Sequence, residues 1–145
     1  MNEKARNRSL NAFLAALQTT EVVECELDSL IAENYDTAGW SPDIRRALIA
    51  ARHRVYHVRV LLDAIADEAR AKPNVLRDPS WLHGARERVG KVREHCNAML
   101  DAMAHAEQSF GEKQPRDWPL LFDMAGDIPG LLDRADNAFC SATRQ

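Results

Sequence analysis

The chain has 145 residues, enough for one domain with a real hydrophobic core and too few for a second. Hydrophobic residues at 46%, charged residues at 28% and a net charge of −3 are those of a soluble globular protein. No run approaches the roughly eighteen unbroken apolar residues of a membrane span. The polar N-terminus, Met1 to Leu10, leads into an apolar stretch broken by Gln18 and Glu21, which is not the pattern of a signal peptide. A cytoplasmic protein without a membrane partner is expected. Cys25, Cys96 and Cys140 are an odd number without a C-x-x-C pair, which argues for reduced thiols rather than a disulfide framework or a zinc knuckle.

The first helix is expected from near Ser9 to Asn34, with Leu10, Phe13, Leu17, Leu27 and Ile31 along one stripe. Ala16, Val23 and Leu30 widen that stripe, and Thr20 and Glu24 interrupt it. After a turn containing Gly39, Ser41 offers a capping oxygen and Pro42 fits the first helical position, where its missing N–H costs nothing. The second helix starts there and stops near Ala71, because Pro73 disfavours a helical Lys72. Its seam reads Ile44, Leu48, Ala51, Val55, Val58, Leu62, Ile65, Ala69, in steps of three and four that place every side chain on one face.

Asp78-Pro79 repeats the cap-plus-proline start, and a third helix runs to about Gly111 along Leu82, Ala85, Val89, Val92, Cys96, Met99, Met103, Ala106 and Phe110. Gly84 and Gly90 inside it mark either close backbone packing or a break near His83. Beyond a loop from Gly111 to Asp117, a short helix from Trp118 to Ala125 and a last one from Asp127 and Pro129 through Ala142 are expected. The fold class is therefore all-α: one domain over residues 1–145, a bundle of three long helices plus one or two short C-terminal ones, mostly antiparallel because the loops are short. With only short C-terminal helices to cover long seams, apolar surface stays open and a two-fold homodimer is expected.

The net charge hides a partition. Residues 1–40 carry a charge of −4, 41–71 of +2, 72–97 of +3 and 98–145 of −4. On the second helix Arg45, Arg52 and Arg59 recur every seven residues beside the seam, and on the third Arg86 and Arg93 do the same. Such flanking rows either pair with acids of the first helix, where Glu21 and Asp28 flank the seam, or bind phosphates. In the second case Arg46, Arg54, Arg88 and Lys91 extend a patch whose arginines lie about 10 Å apart, with Tyr56 as a stacking face. No nucleic-acid-binding signature accompanies them, and a pI of 5.9 is low for a dedicated binder, so nucleic-acid contact fits best as part of a larger assembly. The acids Asp117, Asp123, Asp127, Asp133 and Asp136 read as complements to helix starts.

His53 and His57 are neighbours on one helical face, but the sequence supplies no evident third or fourth ligand; no metal and no cofactor is expected. Residues 52–57, Arg-His-Arg-Val-Tyr-His, resemble the R-x4-6-H motif of the HEPN ribonucleases, all-helical domains in which arginine and histidine of two protomers form a metal-independent site. The resemblance implies Arg52 and His57 as the catalytic pair; the same spacing also occurs at Arg46/His53, Arg77/His83 and Arg88/His95. No Gly-rich phosphate loop and no G-x-S-x-G is present. The expected function is that of a non-enzymatic interaction protein, a small subunit, adaptor or inhibitor presenting its basic central face to a macromolecular partner, a protein above all, in an assembly that can include nucleic acid. HEPN-like RNA cleavage is the alternative.

Overall fold

A computed structural model describes residues 3–143, which form four long helices: α1 (Glu3–Asn34), α2 (Pro42–Ala71), α3 (Pro79–Phe110) and α4 (Trp118–Thr143). Met1, Asn2, Arg144 and Gln145 of the expected 1–145 domain lie outside the described residues. The helices pack as an all-α antiparallel bundle in which α1 neighbours α2 and α4, and α3 neighbours α2 and α4. No helix among the described residues is long and apolar enough to cross a membrane.

The caps form as the sequence dictates. Ser41 Oγ accepts from the Ile44 N–H at 3.3 Å, and Asp78 Oδ1 accepts from the Ser80 N–H at 3.0 Å, each ahead of a proline that opens its helix. Every residue of both long seams on α2 and α3 is buried. Between these helices Pro73–Arg77 make a 3-10 turn whose Leu76 tucks into the core. Gly39 (φ +67°) and Gly111 (φ +54°) take left-handed backbone conformations that let the chain leave α1 and α3 sharply. These two turns meet at one end of the bundle: Lys113 Nζ donates to the Gly39 carbonyl at 2.7 Å, and Trp40 Nε1 donates to the Lys113 carbonyl at 3.4 Å. Beneath them Trp40, Phe110 and Trp118 stack in sequence with centroids 5.9 and 4.9 Å apart. Phe13, Phe139 and Trp81 do the same toward the opposite end.

Three local expectations change. The interruption at Thr20 is not one: its side chain is buried, and its hydroxyl donates to the Ala16 carbonyl at 2.7 Å, so it sits satisfied within the seam. The C-terminal segment is a single helix of 26 residues with Pro129 inside it. An interior proline costs about 3 kcal/mol, yet Trp118, Leu121, Ala125, Ile128, Leu132, Ala135 and Phe139 form one buried seam running through it. Burying a large apolar side chain is worth roughly 1.5–3 kcal/mol, so several of them outweigh the proline. Because α4 is long, the seams of α2 and α3 are covered and do not supply the open apolar surface from which a dimer was expected.

α3 is unbroken through Gly84 and Gly90, and neither glycine packs closely: a Cβ at either position would have no heavy atom within 4 Å. Gly90→Ala should therefore stabilise the protein by about 0.5–1 kcal/mol, since it only removes backbone freedom from the unfolded chain. Urea denaturation of the two proteins measures the difference, and a less stable alanine variant would show that the glycine has a packing role.

Candidate interaction face

The arginine rows grip the acidic helices. Arg59 donates from Nε to Glu24 Oε2 at 2.5 Å and from Nη1 to Asp63 Oδ2 at 3.1 Å; the Arg59 and Glu24 side chains are only 29% and 18% exposed. Hydrogen bonding to Glu24 holds the Arg59 guanidinium above its ordinary pKa, against the opposing effect of burial. One heptad away, Arg52 Nε lies 3.8 Å from Asp28 Oδ1 in a more open pair. Arg45 completes the row by placing its guanidinium over the Tyr35 ring, 4.9 Å from the centroid. Glu24, which breaks the apolar stripe of α1 in the sequence, is thus the partner of the least exposed pair on this interface.

On α3 the row turns to α4 instead of α1. Arg86 Nε donates to Asp136 Oδ1 at 3.0 Å, and Arg93 Nη2 donates to Asp133 Oδ1 at 2.6 Å. Expectation placed these two aspartates at a helix start. With α4 beginning at Trp118 they sit in its second half, where they complement arginines rather than the dipole. Arg46 pairs with Asp43 at 2.5 Å, and Arg88 pairs with Glu68 while lying 5.8 Å from the Trp81 centroid. The hydrogen bond from Arg88 draws the Glu68 carboxyl below its usual pKa.

Of the nine cations picked out in the sequence, Arg54 and Lys91 meet neither a carboxylate nor an aromatic face among the described residues. Arg54 extends along the α2/α3 edge and places Nη1 3.1 Å from His95 Nδ1. Because guanidinium only donates, His95 accepts at Nδ1 and carries its proton on Nε2. The His95 ring stacks on His57 with centroids 5.1 Å apart and planes 17° from parallel. His57 Nε2 in turn lies 3.2 Å from His53 Nε2, and the Tyr56 ring meets His57 edge-on at 5.6 Å. Burial lowers the His95 pKa first, the His57 and Arg54 charges lower it further, Glu94 opposes and His53 adds to the lowering. Three histidines and an arginine thus form one cluster. His53 and His57 announce it by spacing; His95 joins only through the antiparallel packing of α3.

Arg52 and His57 do not converge within the chain. Five residues apart on one helix, they lie about 140° apart around its axis: Arg52 faces α1 and His57 faces α3. Arg52 instead helps line a shallow depression with Glu24, Asp28, Ile49, His53 and Tyr56. Ile49 and Tyr56 of this depression and Val60 beyond it are 38%, 47% and 38% exposed along the outer side of α2. A second groove, between α1 and α4, exposes Val22 and Leu120 beside Glu26, Glu33 and Asp117.

The His95 shift has a pH signature. Folding keeps this imidazole neutral, so the unfolded chain binds the proton more readily; the stabilisation is complete above the ordinary histidine pKa of about 6.5 and is lost as pH falls through the folded value. The melting temperature should drop between pH 7.5 and 5.5, and His95→Gln should shrink that drop. An unchanged pH profile in the variant would count against a neutral His95. A scan of protein-family models finds no match to the chain, and neither a curated protein nor a solved structure matches it.

Proposed function

We propose that this protein is a non-enzymatic helical interaction module that offers the outer side of α2 and the adjoining α2/α3 edge to an acidic protein partner. The observation that carries this reading is the exposed apolar stripe Ile49, Tyr56 and Val60, at helical spacing along the outer side of α2, with Arg54 at the α2/α3 edge of the same helix and without a carboxylate partner among the described residues. Apolar anchors on a helix that also carries an uncommitted positive charge on its α3 side suit a protein segment carrying both apolar and acidic side chains. A polyanion such as RNA is less well served, because Arg46, Arg52, Arg59, Arg86, Arg88 and Arg93 are already engaged with carboxylates of the same chain.

A variant combining Tyr56→Ser, Val60→Ser and Arg54→Gln should leave the melting temperature within a few degrees of the parent, because all three side chains are exposed. In capture from native cells followed by binding measurements with the purified partner, that variant should lose at least tenfold in affinity. Leu120→Ser, on the opposite groove, should lose nothing. Capture abolished by nuclease, or by Leu120→Ser alone, would contradict the assignment of partner and face. Metal-free cleavage of single-stranded RNA that disappears in both Arg52→Ala and His57→Ala would replace it with the ribonuclease reading.

A further inference from the structure

We propose that His53 and His57 form a two-nitrogen chelate for a divalent transition metal ion of the zinc type, a site on the same helix that stands independently of the partner-binding reading. Two imidazole nitrogens bound at about 2.0–2.1 Å to a tetrahedral ion are about 3.3 Å apart. His53 Nε2 and His57 Nε2 are 3.2 Å apart. The two side chains hold these nitrogens one turn apart on a helix at the spacing a shared ion requires, and a rotation of the rings that breaks their mutual hydrogen bond aims both lone pairs at it.

Two further contacts hold this geometry. The stacked His95 ring on one side and the edge of Tyr56 on the other confine the plane of His57, and the bond from Arg54 to His95 Nδ1 confines His95 in turn. Without metal, one of the two Nε2 atoms carries a hydrogen that it donates to the other. For chelation both imidazoles are neutral with the hydrogen on Nδ1, so the donor ring changes tautomer and each Nε2 lone pair enters one metal bond. Neutral imidazole is the ligand preferred by zinc, nickel and copper ions rather than by magnesium or calcium. No group of three or more His, Cys, Asp or Glu side chains among the described residues is arranged to hold a metal, so water or an outside donor fills the other positions. The site is therefore an open one, with exchangeable coordination on the exposed side of α2.

Zinc titrated calorimetrically into the chelator-stripped full chain at pH 7.5 tests the site, with circular dichroism confirming that each variant is folded. A single binding event is expected, accompanied by a rise in melting temperature. His53→Gln and His57→Gln should each weaken zinc binding about tenfold or more. His105→Gln and Cys25→Ser, which alter an exposed imidazole and an exposed thiol elsewhere, should leave it unchanged. Absence of zinc uptake by the parent would overturn the proposal. So would uptake that survives both histidine substitutions, or that vanishes with Cys25→Ser.

Discussion

The contact on which this bundle's arrangement turns is the partly buried pair between Glu24 of α1 and Arg59 of α2. A carboxylate on the apolar stripe of a helix is costly to bury unless a cation reaches it, and Arg59 supplies both a short hydrogen bond and a bridge to Asp63. The same logic repeats along the interface in Arg52 with Asp28, and on the far side of the molecule in Arg86 with Asp136 and Arg93 with Asp133. The arginine rows thereby set α2 against α1 and α3 against α4. Apolar seams alone specify burial but not neighbours, since any of the four would cover any other; the flanking charges choose among the arrangements.

That choice places the two helices that bear the arginine rows side by side. Mutual repulsion along the α2/α3 edge is relieved in two ways: Arg88 takes Glu68 of α2, and Arg54 faces an imidazole kept neutral rather than a second cation. The histidine cluster is thus a consequence of the bundle's charge arrangement. The neutral His95 lets Arg54 approach α3, and His53 and His57 hold two imidazole nitrogens 3.2 Å apart. On the other side the acidic helices α1 and α4 meet around a groove bearing Glu26, Glu33 and Asp117. Arg54 and its histidine neighbours lie on the α2/α3 side, whereas the α1/α4 groove carries these acids together with Arg116.

Much of the architecture was legible in the residues. The seams of α2 and α3, both cap-plus-proline starts and the antiparallel arrangement follow from spacing and turn chemistry that act locally. What escaped depended on distant parts of the chain. Pro129 reads as a helix start, and only the seam running from Trp118 to Phe139 shows that packing carries the helix across it. Glu24 and Thr20 read as interruptions because a linear stripe does not reveal the arginine or the carbonyl that satisfies them. Asp133 and Asp136 read as dipole complements for the same reason: their partners lie on another helix. The flanking arginine rows were visible, but the alternatives of internal pairing and a free surface could not be separated until each guanidinium had a position. His95 carried no spacing signal toward His57, since their contact arises from the register of two antiparallel helices.

The most direct measurement of this charge-directed assembly is a double-mutant cycle on Glu24 and Arg59, with Glu24→Gln, Arg59→Gln and the combination compared by urea denaturation. If the pair helps determine which helices adjoin, each single variant leaves a partly buried charge without its partner, and the coupling energy is about 1–2 kcal/mol, beyond the usual range of exposed surface pairs. Additive losses, with coupling within about 0.3 kcal/mol of zero, would contradict that role and leave the apolar seams as the sole determinant of the arrangement.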